Sequence, residues 1–149
     1  MLDLVAKKLF LTKGVGVAED KLTSFEYALR NAGIAGTNIV LISSIFPPKA
    51  KLITRKDGLK LIKPGQVLFT IYSRNQTNEP QRLISASVGI AQPKDRSKYG
   101  YLSEYDAFGK TETVLDVGAE ITSLFGTPDT LISWPLFMLI WFNLIDQMV

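Results

Sequence analysis

Asn38 to Pro48 reads N-I-V-L-I-S-S-I-F-P-P, and its middle, Ile39-Val40-Leu41-Ile42, is a β-branched and aliphatic run. That composition predicts a strand buried on both faces. The run stops at Ser43 and Ser44. Ile45 and Phe46 follow, and then Pro47 and Pro48, which lack N–H donors and cannot continue a central strand. The two serines are therefore expected at the mouth of a sheet, on a rigid turn. Taken alone, two small polar residues need do no more than close a strand, so their chemistry depends on what the rest of the chain supplies.

Composition narrows that supply. The 149 residues include no cysteine and no histidine. This excludes disulfides, thiolate nucleophiles, a Ser-His-Asp triad, and metal sites built on thiolate or imidazole. Any catalysis must come from hydroxyls, carboxylates, lysines, backbone amides or a group not encoded among the twenty residues. The net charge of +3, from 17 basic and 14 acidic residues, is spread along the chain. That pattern predicts a solvated surface and not a nucleic-acid-binding stripe. A chain of this length is read as one domain, 1–149, burying roughly 68–70% of its unfolded surface. Asp3 stands where a signal peptide would carry basic charge, and no apolar segment of signal length follows, so a cytoplasmic protein is expected.

In chain order, Lys8 to Lys13 reads as a first strand and Gly14-Val-Gly16 as a tight turn. Those two glycines lack the third glycine and the lysine of a nucleotide loop. Asp20 to Ala32 reads as a helix burying Leu22, Phe25, Leu29 and Ala32, with Gly33 as its left-handed C-terminal cap. Glu26, four residues before Arg30, is either half of a surface ion pair or a carboxylate that holds a cation. Lys51 to Arg55 is a short strand, Lys56-Asp-Gly58 a turn, and Leu59 to Pro64 a helical turn or loop. Gln66 to Ser73 and Arg82 to Ala91 alternate as strands, as does Tyr101 to Asp106, which carries Glu104. On pattern alone Glu104 faces water. Thr111 to Phe125 fits a helix. Leu131 to Phe142 is almost wholly apolar but too short, and broken by Pro135, to span a membrane, so it is expected to be buried or to face another subunit.

Four stretches in this order resemble the pyruvoyl-dependent arginine decarboxylases: K-L-T-S-F-E-Y-A-L-R-N-A-G-I (Lys21 to Ile34), N-I-V-L-I-S-S-I-F-P-P, N-E-P-Q-R-L-I-S-A-S-V-G-I-A (Asn78 to Ala91) and Y-G-Y-L-S-E-Y (Tyr99 to Tyr105). They cover roughly residues 8 to 112. The resemblance implies a layered αββα sandwich of the α/β class, assembled as homotrimers or hexamers with sites between subunits. It also implies self-cleavage between Ser43 and Ser44, giving a β chain of residues 1–43 and an α chain of residues 44–149. Ser44 would become a covalent pyruvoyl group, with neither pyridoxal phosphate nor a metal required. That group would form a Schiff base with L-arginine, leading to agmatine and carbon dioxide.

By the same resemblance Glu104 is the proton donor and lies buried in the site. Asn38 serves processing, as an oxyanion donor, or else contacts substrate. Its alternative role is to close the turn before the strand. Glu26 holds the substrate guanidinium where the family has the shorter aspartate. No nucleic-acid or membrane partner is implied. Beyond about Glu112 the resemblance fades, and the family's further helix and final apolar strand are not recognisable. The divergent tail, 127–149, either replaces that strand or marks a truncated or frame-shifted chain. Two rivals follow: an inactive relative acting as a structural partner, and a decarboxylase of another basic amino acid.

Overall fold

The computed structural model describes residues 4–79, 84–108, 131–132 and 138–143. Its first sheet contains β1 (Lys8–Lys13), β2 (Asn38–Leu41), β4 (Lys51–Ile53), β5 (Val67–Tyr72) and β9 (Met138–Asn143), in the order β2-β5-β9-β1-β4. The second contains β3 (Ile45–Phe46), β6 (Ile84–Ala91), β7 (Gly100–Phe108) and β8 (Leu131–Ile132), in the order β3-β7-β6-β8. Two helices, α1 (Lys21–Ala32) and α2 (Arg55–Leu61), cover the outer face of the first sheet. Alternation along the strands produces this layering. On β1, Leu9 and Leu11 point between the sheets toward Phe46, Val88 and Leu102, while Phe10 points to the helices. On β5, Ile71 faces the second sheet and Leu68 faces α1.

Helix α1 has the ends that its sequence predicts. The Asp20 carboxylate accepts the Thr23 N–H at 2.9 Å, satisfying one of the unpaired donors of the first turn. Gly33 turns left-handed at φ 85°, and the Gly33 and Ile34 N–H groups donate to Arg30 O and Leu29 O, both at 3.0 Å. These are the paired bonds of a Schellman cap. The last carbonyls are tied into the fold by Arg55, whose guanidinium donates to Asn31 O, Ala32 O and Thr12 Oγ1. Gly14 and Gly16 do not make the expected tight turn; residues 14–18 run without turn structure. They let the chain run against α1: a Cβ on either would stand 1.9 Å from a helix carbonyl oxygen, that of Ala28 or Ser24.

Several other expectations are corrected. Among the described residues β2 is an edge strand and not one buried on both faces; Val40 is 40% exposed and Leu41 60%. A β-branched run has the same letters in either place, because sheet order is set by strands far away in sequence. Leu22, expected in the buried face of α1, is 78% exposed, and Ala28 takes its place. Lys56-Asp-Gly58 lies inside α2 and is not a turn. Thr54 caps that helix by accepting the Asp57 N–H at 3.1 Å, and Gly58 is required there because a Cβ would meet the Phe10 ring at 2.1 Å.

Within the apolar tail, β9 inserts antiparallel between β1 and β5, so the tail supplies a central strand. The helix expected over Thr111 to Phe125 lies outside the described residues. Among the described residues no helix is long and apolar enough to cross a membrane.

Candidate active site

Ser43 and Ser44 occupy the step where the chain leaves the first sheet and enters the second. On one side, the Ile42 N–H donates to Thr70 O at 3.0 Å and extends the parallel β2–β5 ladder. On the other, β3 pairs antiparallel with β7, Ile45 opposite Tyr101 and Phe46 opposite Gly100. The Leu102 N–H carries that ladder one residue further by donating to Ser44 O at 2.9 Å. The serine pair is thus bracketed by hydrogen bonds from both sheets. Ser73 Oγ adds a tie between the sheets by donating to Tyr105 O at 2.7 Å.

This register brings Ser44 to Glu104. Side chains alternate along a strand, so Leu102 and Glu104 share one face of β7. Ser44 lies opposite Leu102 and is a diagonal neighbour of Glu104, close enough for side chains to meet. Ser44 Oγ stands 3.3 Å from each carboxylate oxygen of Glu104. That spacing is longer than the roughly 2.7–2.8 Å of a tight hydroxyl hydrogen bond. The hydroxyl therefore faces the carboxylate fork without being held by one oxygen. Glu104 is itself fixed by the long β6–β7 hairpin, where it pairs with Val88. In the single chain Glu104 is exposed.

The peptide unit between the serines has its own contact. Ser43 O accepts the Ile45 N–H at 2.9 Å, closing a tight loop around Ser44. Across from Ile45, Tyr101 meets the edge of Tyr99 with ring centroids 5.5 Å apart. The hydrogen bond with Tyr99 pushes the Tyr101 hydroxyl above its ordinary pKa.

The other expected site residues lie apart from this pair. Asn38 is at the far end of β2, where its Nδ2 donates to Gly65 O at 2.7 Å. Glu26 accepts the Arg30 Nε at 3.0 Å on the solvent side of α1. A groove of about 300 Å³ between the start of α1 and residues 74–78 includes Asp20, Phe25 and Arg74 but neither Ser44 nor Glu104. Among the described residues no cluster of three or more candidate metal ligands converges. Sequence reasoning missed the backbone donors at Ile45 and Leu102, which no residue letter marks.

With this geometry in view, the comparisons with known proteins are specific. The family model described as "Pyruvoyl-dependent arginine decarboxylase" matches residues 8–131, extending past residue 112, where the resemblance was expected to fade. A protein named pyruvoyl-dependent arginine decarboxylase from Nitrosopumilus maritimus is 81% identical over 113 residues, covering 76% of this chain and 62% of that protein. Similarly named proteins from Thermoplasma volcanium and Picrophilus torridus are 50% and 52% identical, over 89% and 80% of this chain and 76% and 66% of their own lengths. The chain thus spans less than two thirds of the Nitrosopumilus and Picrophilus relatives.

Proposed function

Because the chain belongs to the pyruvoyl-dependent arginine decarboxylase family, we propose that it cleaves itself between Ser43 and Ser44 and then decarboxylates L-arginine to agmatine and carbon dioxide. The observation that carries this reading is the meeting of Ser44 Oγ with the Glu104 carboxylate at the step between the two sheets. In a chain without histidine or cysteine a carboxylate is a natural group for proton transfer, and Glu104 faces this hydroxyl. The turn also suits a reactive group made in place. Ser44 is held at its carbonyl by Leu102, while its side chain points to a titratable partner.

The pyruvoyl group at position 44 supplies the electron sink for loss of the substrate carboxylate, the part played elsewhere by pyridoxal phosphate. The chain supplies the rest. Glu104 holds the proton that is returned to the substrate carbon. Glu26 offers a carboxylate suited to the forked guanidinium of arginine. Its bond to Arg30 is a partly exposed pair of little energetic weight, so the carboxylate is available to a competing cation. Asn38, which orders the start of β2 through Gly65, supports processing or contacts substrate.

Exposure of Leu41, Ile45 and Glu104 in the single chain suits a site covered by a second subunit in a homotrimer or hexamer working in the cytoplasm. The test is the intact mass of the denatured protein. Fragments 1–43 and 44–149, the larger lighter by one ammonia than hydrolysis predicts, support the reading. A single uncut chain overturns it and leaves the inactive relative.

A further inference from the structure

We infer that the backbone N–H of Ile45 is the oxyanion donor for chain cleavage, an inference that rests on the self-processing reading above. Cleavage begins when Ser44 Oγ bonds to the carbonyl carbon of Ser43 and the hydroxyl proton passes to the Glu104 carboxylate. The carbonyl π pair moves onto Ser43 O. The bond from that carbon to Ser44 N then breaks, the nitrogen keeping the electron pair and taking the proton back. The result is an ester and a free amine, with no atom gained or lost. The charge in the transition state therefore gathers on Ser43 O, the atom that the Ile45 N–H already reaches at 2.9 Å.

Three observations fit this donor. It is preorganised: Ile45 is fixed by its pairing with Tyr101 on one side and by the Leu102-to-Ser44 bond beside it, so the donor need not be reoriented as charge develops. The bond strengthens where it counts, since a hydrogen bond to an anion is roughly twice as strong as one to a neutral carbonyl. The side-chain amide expected in this role is committed elsewhere, with Asn38 Nδ2 on Gly65 O at the opposite end of β2. Because the Ile45 side chain is itself partly exposed, the function belongs to the backbone, and replacing that side chain does not probe it.

An amide-to-ester replacement does. The chain has no cysteine, so a synthetic segment 1–49 can be ligated to segment 50–149 carrying Ala50→Cys, which desulfurisation returns to alanine. In the synthetic segment the hydroxy-acid analogue of isoleucine at position 45 removes that one N–H and, as any ester does, weakens the carbonyl before it, here Ser44 O, as an acceptor. The same replacement at Ile42 removes the N–H that serves Thr70 and acts as the control. Each full-length chain is refolded from denaturant, cleavage is followed by intact mass, and folding by far-UV circular dichroism.

The unmodified ligated chain and the position-42 ester are expected to cleave within a few-fold of each other. The position-45 ester, folded alike, is expected to cleave about 10²–10³ times more slowly, the usual cost of losing one oxyanion donor. Equal rates for both esters overturn the role of Ile45 while leaving self-processing intact. Failure of the unmodified chain to cleave overturns self-processing, and this inference with it.

Discussion

Ser44 and Glu104 are 60 residues apart in the chain, and the Ser44 hydroxyl lies 3.3 Å from both oxygens of the Glu104 carboxylate. The contact depends on the two-residue pairing of β3 with β7. A slip of one residue in that pairing would turn Ser44 to the opposite face. The serine step is therefore held by one of the shortest ladders among the described residues, braced by the Leu102 and Ile42 bonds on either side.

Removing the charge tests the role of Glu104. Glu104→Gln keeps the shape of the side chain and loses the group that takes the Ser44 proton, so self-cleavage should slow, and arginine turnover per chain that does cleave should fall about 10²–10⁴-fold, the usual contribution of a positioned acid or base. Ser44→Ala should leave the chain whole. Carbon dioxide release and intact mass read the two effects, and ordinary turnover by Glu104→Gln would remove Glu104 from the reaction.

Specificity is probed at Glu26. Glu26→Asp withdraws the carboxylate by one methylene and should change the ratio of kcat/KM for arginine to that for lysine and ornithine. An unchanged ratio would mean that Glu26 does not read the guanidinium.

The end of α1 makes a stability prediction. Arg55 donates to Asn31 O, Ala32 O and Thr12 Oγ1, and hydrogen bonds from a charged donor are worth about 1.5–3 kcal/mol. Arg55→Met should lower stability by about 2–4 kcal/mol in urea unfolding. Arg55→Lys should recover only part of it, because an ammonium cannot match the guanidinium fork.

Packing between α2 and β1 makes another. A methyl on Gly58 would press into the Phe10 ring, so Gly58→Ala, although it favours helix, should destabilise by about 1–3 kcal/mol. In a Phe10→Leu background the added cost should shrink. An equal cost in both backgrounds would show that the ring is not what excludes the methyl.

The cap of α1 should be visible in the acid limb. Hydrogen bonds from Thr23 hold the Asp20 carboxyl below its ordinary value of 3.8. A depressed carboxylate contributes stability that is present above the unfolded-state pKa and is lost as pH falls through the lower folded-state value. Between pH 6 and pH 3, Asp20→Asn should thus lose less of its melting temperature than the parent chain does. Identical losses would mean that Asp20 carries none of the acid sensitivity.

Local patterns made much of this molecule legible. Gly33 marked the end of α1, apolar spacing marked its course, and alternation found β1, β5, β6 and β7, since a cap and periodicity act within a few residues of chain. The same local signals misread α2, where Asp57-Gly58 looks like a turn but Gly58 is there to clear Phe10. They also placed β2 inside a sheet that it borders.

From sequence alone came the serine pair, the absence of histidine and cysteine, the Gly33 cap of α1 and the run that becomes β2. Tertiary structure alone decided that the serines fall between two sheets, that Glu104 meets Ser44 while Asn38 turns to Gly65, and that the Ile45 amide points at the Ser43 carbonyl. The reason is physical. Caps and periodicity are properties of neighbouring residues, whereas strand order, register and the aim of a backbone N–H are set by pairing between segments tens of residues apart.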